Sequence, residues 1–340
     1  MNHRIAVLRS FLLLLGALCL VVAAGCASTA PHPFDDRAEI DAFIAEMVQK
    51  YQFDERELKQ VFARVQLRPA IIAAMERPAE AKPWYQYRPI FVNNARIREG
   101  VAFWDANSDA LQRAQTIYGV PPEIIVAIIG VETRYGRYKG GFPVIDALST
   151  LAFAYPPRSK FFRSELEQYL LMTREEHIDP LSMKGSYAGA MGQPQFIASS
   201  FRNYAVDFDG DGHRDLWNSA TAAIGSVGNY FKQHGWLPGQ PVATRAQVEG
   251  SGYQTLLAGG LKPQWSITEL DQAGVTVDPP TPGEIRGALF ALETEHGPEY
   301  WVGWQNFYAI TRYNRSPLYA MAVYQLGEAI LAAKHAQVLD

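Results

Sequence analysis

Residues 121–136 read Pro-Pro-Glu-Ile-Ile-Val-Ala-Ile-Ile-Gly-Val-Glu-Thr-Arg-Tyr-Gly. Pro121 and Pro122 open a helix, where a missing N–H costs nothing, and Glu123 complements the positive end of the helix dipole. From Ile124 to Val131 the run is apolar on every side, so the predicted helix is buried rather than amphipathic. Glu132 ends it, just before a glycine turn, which puts a carboxylate at the wall of a cleft. Desolvation there favours the neutral acid, and a carboxyl still protonated near neutral pH can protonate a glycosidic oxygen. By itself the same residue reads more readily as a helix-end glutamate paired with Arg134 or Arg137, and it is the other segments that reverse this.

Working outward, apolar residues recur at helical spacing at Ile40, Phe43, Ile44, Met47 and Val48, and again at Leu58, Phe62 and Val65. Asp54 with Glu57 three residues later marks a helix start. Residues 37–118 therefore form a predicted N-terminal helical domain, with a Pro/Trp/Tyr-rich break around Pro83 to Pro89. Residues 119–237 hold the chemically suggestive positions. Within them, Ser186 to Ser200 (Ser-Tyr-Ala-Gly-Ala-Met-Gly-Gln-Pro-Gln-Phe-Ile-Ala-Ser-Ser) sets small residues beside amides and hydroxyls. Gly189 and Gly192 allow close backbone approach to a ligand, and Gln195 offers both donor and acceptor, the mixture a sugar demands. A small-residue helix contact would use the same composition. From 238 to 305 the composition shifts to a small β domain: Ser266 to Val277, Gly287 to Glu293 and Tyr300 to Trp304 are predicted strands, with a hairpin around Gly297-Pro298. Residues 306–340 turn helical again through Tyr319, Val323, Leu326 and Ile330. The expected class is mainly α (α+β).

The chain's 340 residues suffice for two or three domains, and a net charge of −4 argues against a broad nucleic-acid-binding surface. Its two cysteines lie near the N-terminus and cannot build a disulfide framework. His3, Arg4 and Arg9 precede an apolar run from Phe11 to Ala24, a secretory pattern too short to span a bilayer comfortably. The ending Ala23-Ala24-Gly25-Cys26 resembles a bacterial lipoprotein box, although that box prefers leucine where Ala23 stands. The resemblance implies residues 1–25 as a signal peptide, Cys26 as the lipidated residue and 26–36 as a tether. Ala27 after the cysteine implies sorting to the outer membrane, leaving a soluble body on its periplasmic face in a Gram-negative bacterium.

Three blocks, Gly130 to Gly136, Ser186 to Ser200, and Ile310-Thr311-Arg312-Tyr313-Asn314-Arg315-Ser316 through Val323, resemble successive blocks of the membrane-bound lytic murein transglycosylase B family, in that family's order. The similarity covers roughly residues 37–335. It implies a lysozyme-like catalytic core flanked by a helical domain and a small β domain. It further implies Glu132 as catalytic acid/base, and Ser186, Tyr187, Gln195, Tyr313, Asn314 and Tyr319 in a saccharide cleft. In Tyr155-Pro156-Pro157-Arg158 the family commonly has two adjacent arginines, so only Arg158 carries over as a contact. The implied reaction is a non-hydrolytic cut of the MurNAc–GlcNAc β-1,4 bond of peptidoglycan that leaves 1,6-anhydroMurNAc ends, without a cofactor. No motif pairs a second acid with Glu132, and Asp105, Asp146 and Glu165 remain candidates that folding could bring near. The alternatives are a hydrolytic muramidase and a non-catalytic peptidoglycan-binding lipoprotein. A place beside the wall implies wall-synthesis enzymes as partners.

Asp207-Phe208-Asp209-Gly210-Asp211-Gly212-His213-Arg214-Asp215 matches the opening of an EF-hand loop. Asp207, Asp209 and Asp211 supply hard oxygens, His213 its carbonyl, and Asp215 the ninth position. Asn218 replaces the final bidentate acid, and where the family sets its late acidic ligand this chain has Ala220-Thr221-Ala222-Ala223. The expectation is a structural, weakly held Ca²⁺ or none. Zinc is disfavoured, because Glu176-His177 and Glu295-His296 lack the two-histidine spacing. Trp84, Trp104, Trp217, Trp301 and Trp304 are candidates to stack on sugars or to fill the core.

Overall fold

The computed structural model describes residues 37–76, 82–280 and 284–339. The expected signal peptide, the tether and Cys26 lie outside the described residues. The chain opens with helices α1 (Arg37–Tyr51), α2 (Glu55–Phe62), α3 (Pro69–Met75), α4 (Trp84–Phe91), α5 (Asn94–Ala106) and α6 (Ser108–Tyr118). Asp54 caps α2 by accepting the Glu57 N–H at 2.8 Å, as its spacing predicts. The apolar stripe of α1 is buried, with Phe43 meeting Phe62 edge to face at 5.8 Å.

Next come α7 (Pro122–Thr133), α8 (Val144–Ala154), α9 (Ser159–Glu175), α10 (Ala198–Tyr204) and α11 (Ala220–Gln233). Two short strands, β1 (Phe142–Pro143) and β2 (Lys184–Gly185), pair antiparallel and bring the turn after α7 beside the Ser186 segment. The next segment holds β3 (Ala243–Val248), α12 (Tyr253–Leu257), β4 (Trp265–Ser266), α13 (Ile267–Gln272), β5 (Val275–Asp278), β6 (Arg286–Thr294) and β7 (Gly297–Gly303). Last are α14 (Gln305–Tyr313) and α15 (Pro317–Leu339).

The apolar run of α7 lies where its pattern demands. Ile125 to Ile129 are fully buried, and α5, α6, α11 and α15 pack around them. Each buried isoleucine or valine there contributes about 1.5–3 kcal/mol relative to exposure. α15 comes close to α7 at Gly327, where an added Cβ would lie 3.1 Å from the Glu123 carbonyl oxygen.

The β segment forms an antiparallel sheet in the order β4-β6-β7-β3-β5 over its own small core of Leu256, Leu270, Val275, Leu289, Val302 and Trp304. Two sequence expectations need correction here. Ser266 to Val277 is not one strand: Ser266 accepts the Glu269 N–H while Glu269 accepts the Ser266 N–H, a capping box that starts α13 and leaves only the ends extended. The sequence pattern also misses β3, which lies between β7 and β5. The segment enters and leaves the helical body at one point. Buried Asn306 accepts the Leu237 N–H at 2.7 Å and donates to the carbonyls of Leu237 (2.9 Å) and Gln240 (2.8 Å).

Candidate active site

Glu132 sits in the last turn of α7, one residue before its end. Arg134 (φ 49°), Tyr135 (φ 60°) and Gly136 (φ 81°) then follow in the left-handed region, two of them without glycine's freedom. Local hydrogen bonds hold this costly turn. The Arg134 N–H reaches the Gly130 carbonyl (3.1 Å), that of Tyr135 the Ile129 carbonyl (3.2 Å), and that of Gly136 the Thr133 Oγ1 (3.0 Å). The Tyr135 ring then folds back over Gly130, where a Cβ would stand 2.7 Å from it, and its hydroxyl donates to the Arg96 carbonyl at 2.8 Å. The Arg96 guanidinium donates to the Gly130 carbonyl, so α5 clamps the last turn of α7 from both sides.

The three sequence blocks meet here. Buried Thr133 donates its hydroxyl to the Gln193 carbonyl at 2.8 Å. Tyr313 donates to the Pro194 carbonyl at 2.5 Å, and Tyr319 donates to Glu132 Oε1 at 2.5 Å. The Tyr313 ring packs on Tyr230 (4.7 Å), Phe196 and Phe231 (both 5.9 Å), and Tyr230 is anchored by donating to the Arg312 carbonyl at 2.7 Å.

The helix-end ion pair does not form. Arg134 makes a two-pronged contact with Glu99 (2.6 and 2.7 Å), and Arg137 lies 3.5 Å from the same carboxylate. Among the described residues no cation pairs with Glu132. Burial therefore pushes its carboxyl up from 4.5 to about 7, opposed only by the hydrogen bond from Tyr319. Burial and the facing Glu132 in turn hold the Tyr319 hydroxyl well above the ordinary phenol range. The result is a neutral acid near pH 7, oriented by a tyrosine that stays protonated.

The other expected site residues take varied places. Ser186 Oγ accepts the N–H groups of Ala190 (3.0 Å) and Ala188 (3.3 Å), shaping the loop that presents Tyr187, 41% exposed. Gln195, itself left-handed at φ 51°, donates to the carbonyls of Gly192 (2.9 Å) and Lys139 (3.3 Å). Asn314 Oδ1 accepts the Ser316 N–H at 3.0 Å just ahead of α15. Arg158 lies on a short turn of 3₁₀ helix with its guanidinium 4.5 Å above Phe161 and 5.0 Å above Phe162, an aromatic seat apart from the Glu132–Tyr319 pair's own contacts. Gly189 and Gly192 do not leave room for a ligand as the sequence suggests. Cβ atoms there would meet the Leu148 side chain (2.5 Å) and the Leu216 carbonyl oxygen (2.6 Å), so protein packing and positive φ require glycine. Arg96, Glu99, Thr133, Tyr135 and Gln193 escape the sequence reading, because each acts through a partner far away in the chain.

The candidate second acids have other partners. Asp105 pairs with Lys334, Asp146 with Arg68 (2.8 Å), and Glu165 accepts the Ser199 N–H at 2.9 Å. Trp304, Trp217 and Trp84 belong to the cores, Trp104 is partly buried, and the half-buried Trp301 lines a surface groove.

In the acidic loop, carboxylate oxygens of Asp207, Asp209 and Asp211 lie within 4.8 Å of one another. Asp207 is organised by the N–H groups of Gly210 (2.8 Å), Asp211 (3.1 Å) and Gly212 (2.9 Å), which hold its carboxyl below the ordinary range. Asp215 stands outside this trio, capping Trp217 (2.9 Å) and Asn218 (3.0 Å) N–H groups. Ser219 donates to Asp209. Three converging carboxylates fit a hard cation; His213 would add only its carbonyl.

The family model described as Transglycosylase SLT domain matches residues 35–328. The chain belongs to this family of transglycosylases. It is 45% identical over 311 residues to the membrane-bound lytic murein transglycosylase B of Escherichia coli, covering 88% of this transglycosylase and 85% of that protein. Among solved structures, the soluble lytic transglycosylase SltB1 of Pseudomonas aeruginosa superposes with a TM-score of 0.83 at 50% identity, covering 87% of this chain and 99% of that one. The E. coli lytic transglycosylase SLT35, solved in complex with calcium, gives 0.81 at 45% identity over 88% and 95% of the two chains. The mainly α fold of this transglycosylase is the lysozyme-like one of these neighbours.

Proposed function

We propose that this lytic transglycosylase cuts the MurNAc–GlcNAc β-1,4 bond of peptidoglycan without water, using Glu132 as its one acid and base. The observation that carries the reading is a carboxyl that burial keeps protonated to about pH 7, held by Tyr319 and paired with no cation among the described residues. Glu132 gives its proton to the leaving GlcNAc O4 as the C1–O4 bond breaks, and the substrate's 2-acetamido group steadies the oxocarbenium-like charge on MurNAc. The Glu132 carboxylate, stabilised by the Tyr319 hydroxyl, then takes the proton of the MurNAc 6-hydroxyl while O6 bonds to C1. The acid is restored and a 1,6-anhydro end is formed. Ordinary glycosidases need a second carboxylate as nucleophile or base. Here Asp105, Asp146 and Glu165 hold other partners, which supports the single-acid route. Acid/base help of this kind contributes about 10²–10⁴-fold.

In this reading Ser186, Tyr187, Gln195, Tyr313 and Asn314 bind saccharide, and Arg158 meets the acidic peptide stem. Residues 37–118, 119–237 and 238–305 act as helical domain, catalytic core and β domain, with 306–340 completing the first two. Asp207, Asp209 and Asp211 would hold a structural Ca²⁺ that takes no part in the reaction. A lipid on Cys26 would tether the enzyme to the periplasmic face of the outer membrane, in keeping with the membrane-bound E. coli relative.

The test is mass spectrometry of muropeptides released from sacculi by a form starting after Cys26, beside Glu132→Gln. Products one water lighter than reducing-end counterparts, absent with the variant, are expected. Reducing-end products would instead make the enzyme a muramidase, and a variant that still cuts would remove Glu132 from the chemistry.

A further inference from the structure

Away from the catalytic pair, a groove of about 880 Å³ runs between α4, α15 and the part of the sheet formed by β3 and the β6–β7 hairpin. That volume is in the range of built ligand sites. At 3.6 residues per turn, its α15 lining (Gln325, Glu328, Ala329 and Ala332) clusters on one face, turned about 180–280° from the face that carries Tyr319. The helix itself therefore separates this groove from Glu132.

Its lining combines aromatic surface with hydrogen-bonding groups of both kinds. Tyr85, 37% exposed, and the half-buried Trp301 contribute aromatic surface, while Trp84, 3% exposed, belongs to the core that backs the groove. The Trp301 indole N–H is enclosed by protein and finds no acceptor among the described residues, so what this half-buried residue offers the groove is its ring. Arg88 is extended across the groove by donating to Gln325 Oε1 at 2.6 Å, and Arg245 is held by Glu299 at 3.0 Å. His296, exposed at the hairpin tip, completes the rim. A pyranose presents an apolar C–H face and a rim of hydroxyls, each donor and acceptor at once, so aromatic faces ringed by guanidinium, carboxylate and amide groups complement it.

We propose that this groove is a second peptidoglycan-binding site, which holds a further stretch of glycan on the opposite side of α15 from the bond being cut. The proposal rests on the reading of the enzyme as a peptidoglycan transglycosylase. It gives a role to Tyr85 and Trp301, which lie together away from Glu132 on a surface the cleavage chemistry does not use.

The experiment compares Tyr85→Ala/His296→Ala, two exposed positions, with the parent enzyme in two assays. Binding to purified sacculi is measured by sedimentation in the Glu132→Gln background, so that nothing is cut. Cleavage of a soluble, peptide-free GlcNAc–MurNAc tetrasaccharide is measured in the active background. Loss of the aromatic contact and the rim group weakens sacculus binding by about tenfold, while tetrasaccharide kcat/KM stays within about twofold. A more conservative Trp301→Phe, which shortens the aromatic surface by one ring, shifts sacculus binding in the same direction. Unchanged sacculus binding in both variants overturns the proposal and leaves the groove to a different partner. A parallel loss in both assays also overturns it, because the groove would then belong to the catalytic cleft. Failure of the parent enzyme to form anhydro ends would count against the catalytic reading alone, since the sacculus comparison is made on uncutting enzyme.

Discussion

Replacing Glu132 by Gln should abolish cutting yet make the protein more stable above neutral pH. The folded carboxyl stays protonated to about pH 7, whereas in the unfolded chain it ionises near 4.5. Below 4.5 both states carry the proton and the group has no effect on stability. As pH rises from 4.5 to 7 only the unfolded state releases its proton, so the folded state loses ground until its own carboxyl ionises. At about 1.4 kcal/mol per tenfold difference in proton affinity, the loss levels off at about 3 kcal/mol by pH 8. Glutamine fills the same space, can still accept the Tyr319 hydroxyl, and does not titrate. Its remaining effects are independent of pH and cancel when two pH values are compared. Urea unfolding of wild type and Glu132→Gln at pH 4 and pH 8 should therefore show the variant gaining about 3 kcal/mol between them. For a chain of this size that corresponds to about 4 °C in melting temperature. An equal difference between the two proteins at both pH values would refute the buried-acid argument, and with it the physical basis of the acid step.

Tyr319→Phe removes the one hydrogen bond that opposes burial at Glu132; the basic limb of the kcat/KM–pH profile should move to higher pH as kcat falls, and an unmoved limb would show that the tyrosine does not act on the carboxyl. Gly192→Ala puts a methyl 2.6 Å from the Leu216 carbonyl at φ 69°, whereas Gly210→Ala meets open space at φ 78°. Thermal melts should show the first costing at least about 3 kcal/mol and the second about 1–2 kcal/mol, the left-handed cost alone. Calorimetry should find calcium bound more weakly than about 10⁻⁵ M and lost in Asp209→Asn, because three carboxylates converge without a late acidic ligand; sub-micromolar binding would overturn that expectation.

Much of this architecture can be read from local pattern. An all-apolar run has only one stable environment, so α7 is legible as the buried centre, and Asp54 before Glu57 is legible as a cap. The β segment is harder. Ala-Thr-Arg-Ala-Gln-Val, the sequence of β3, alternates too weakly to stand out, and gains its place by pairing with β5 and β7 on either side. Ser266-Ile267-Thr268-Glu269 carries a helix-start signal, but the β-branched residues that follow speak for a strand; the capping box prevails. At the site, Glu132 is visible because its chemistry is its own. Thr133, Arg96 and Gln193 are not, since the sequence cannot say which distant carbonyl or glycine each will meet. Gly189 and Gly192 show the converse error: a glycine-rich segment marks close approach, but the approaching group is the protein itself.

The Asn306 staple ties the two ends of the β segment to one another rather than to its interior. A chain excursion whose mouth is already closed costs its host little: each doubling of length adds only about 0.6 kcal/mol of closure entropy. The helical body is therefore sensitive mainly to the packing of the segment, through Val242, Ala243, Phe290 and Leu292 in the main core, and little to its length. This junction is a natural graft point, where the outer part of the sheet could be shortened or exchanged while a residue in place of Phe290 still covers Phe307, 4.6 Å away, and α14 and α15 return to deliver Tyr313 and Tyr319 to the catalytic helix.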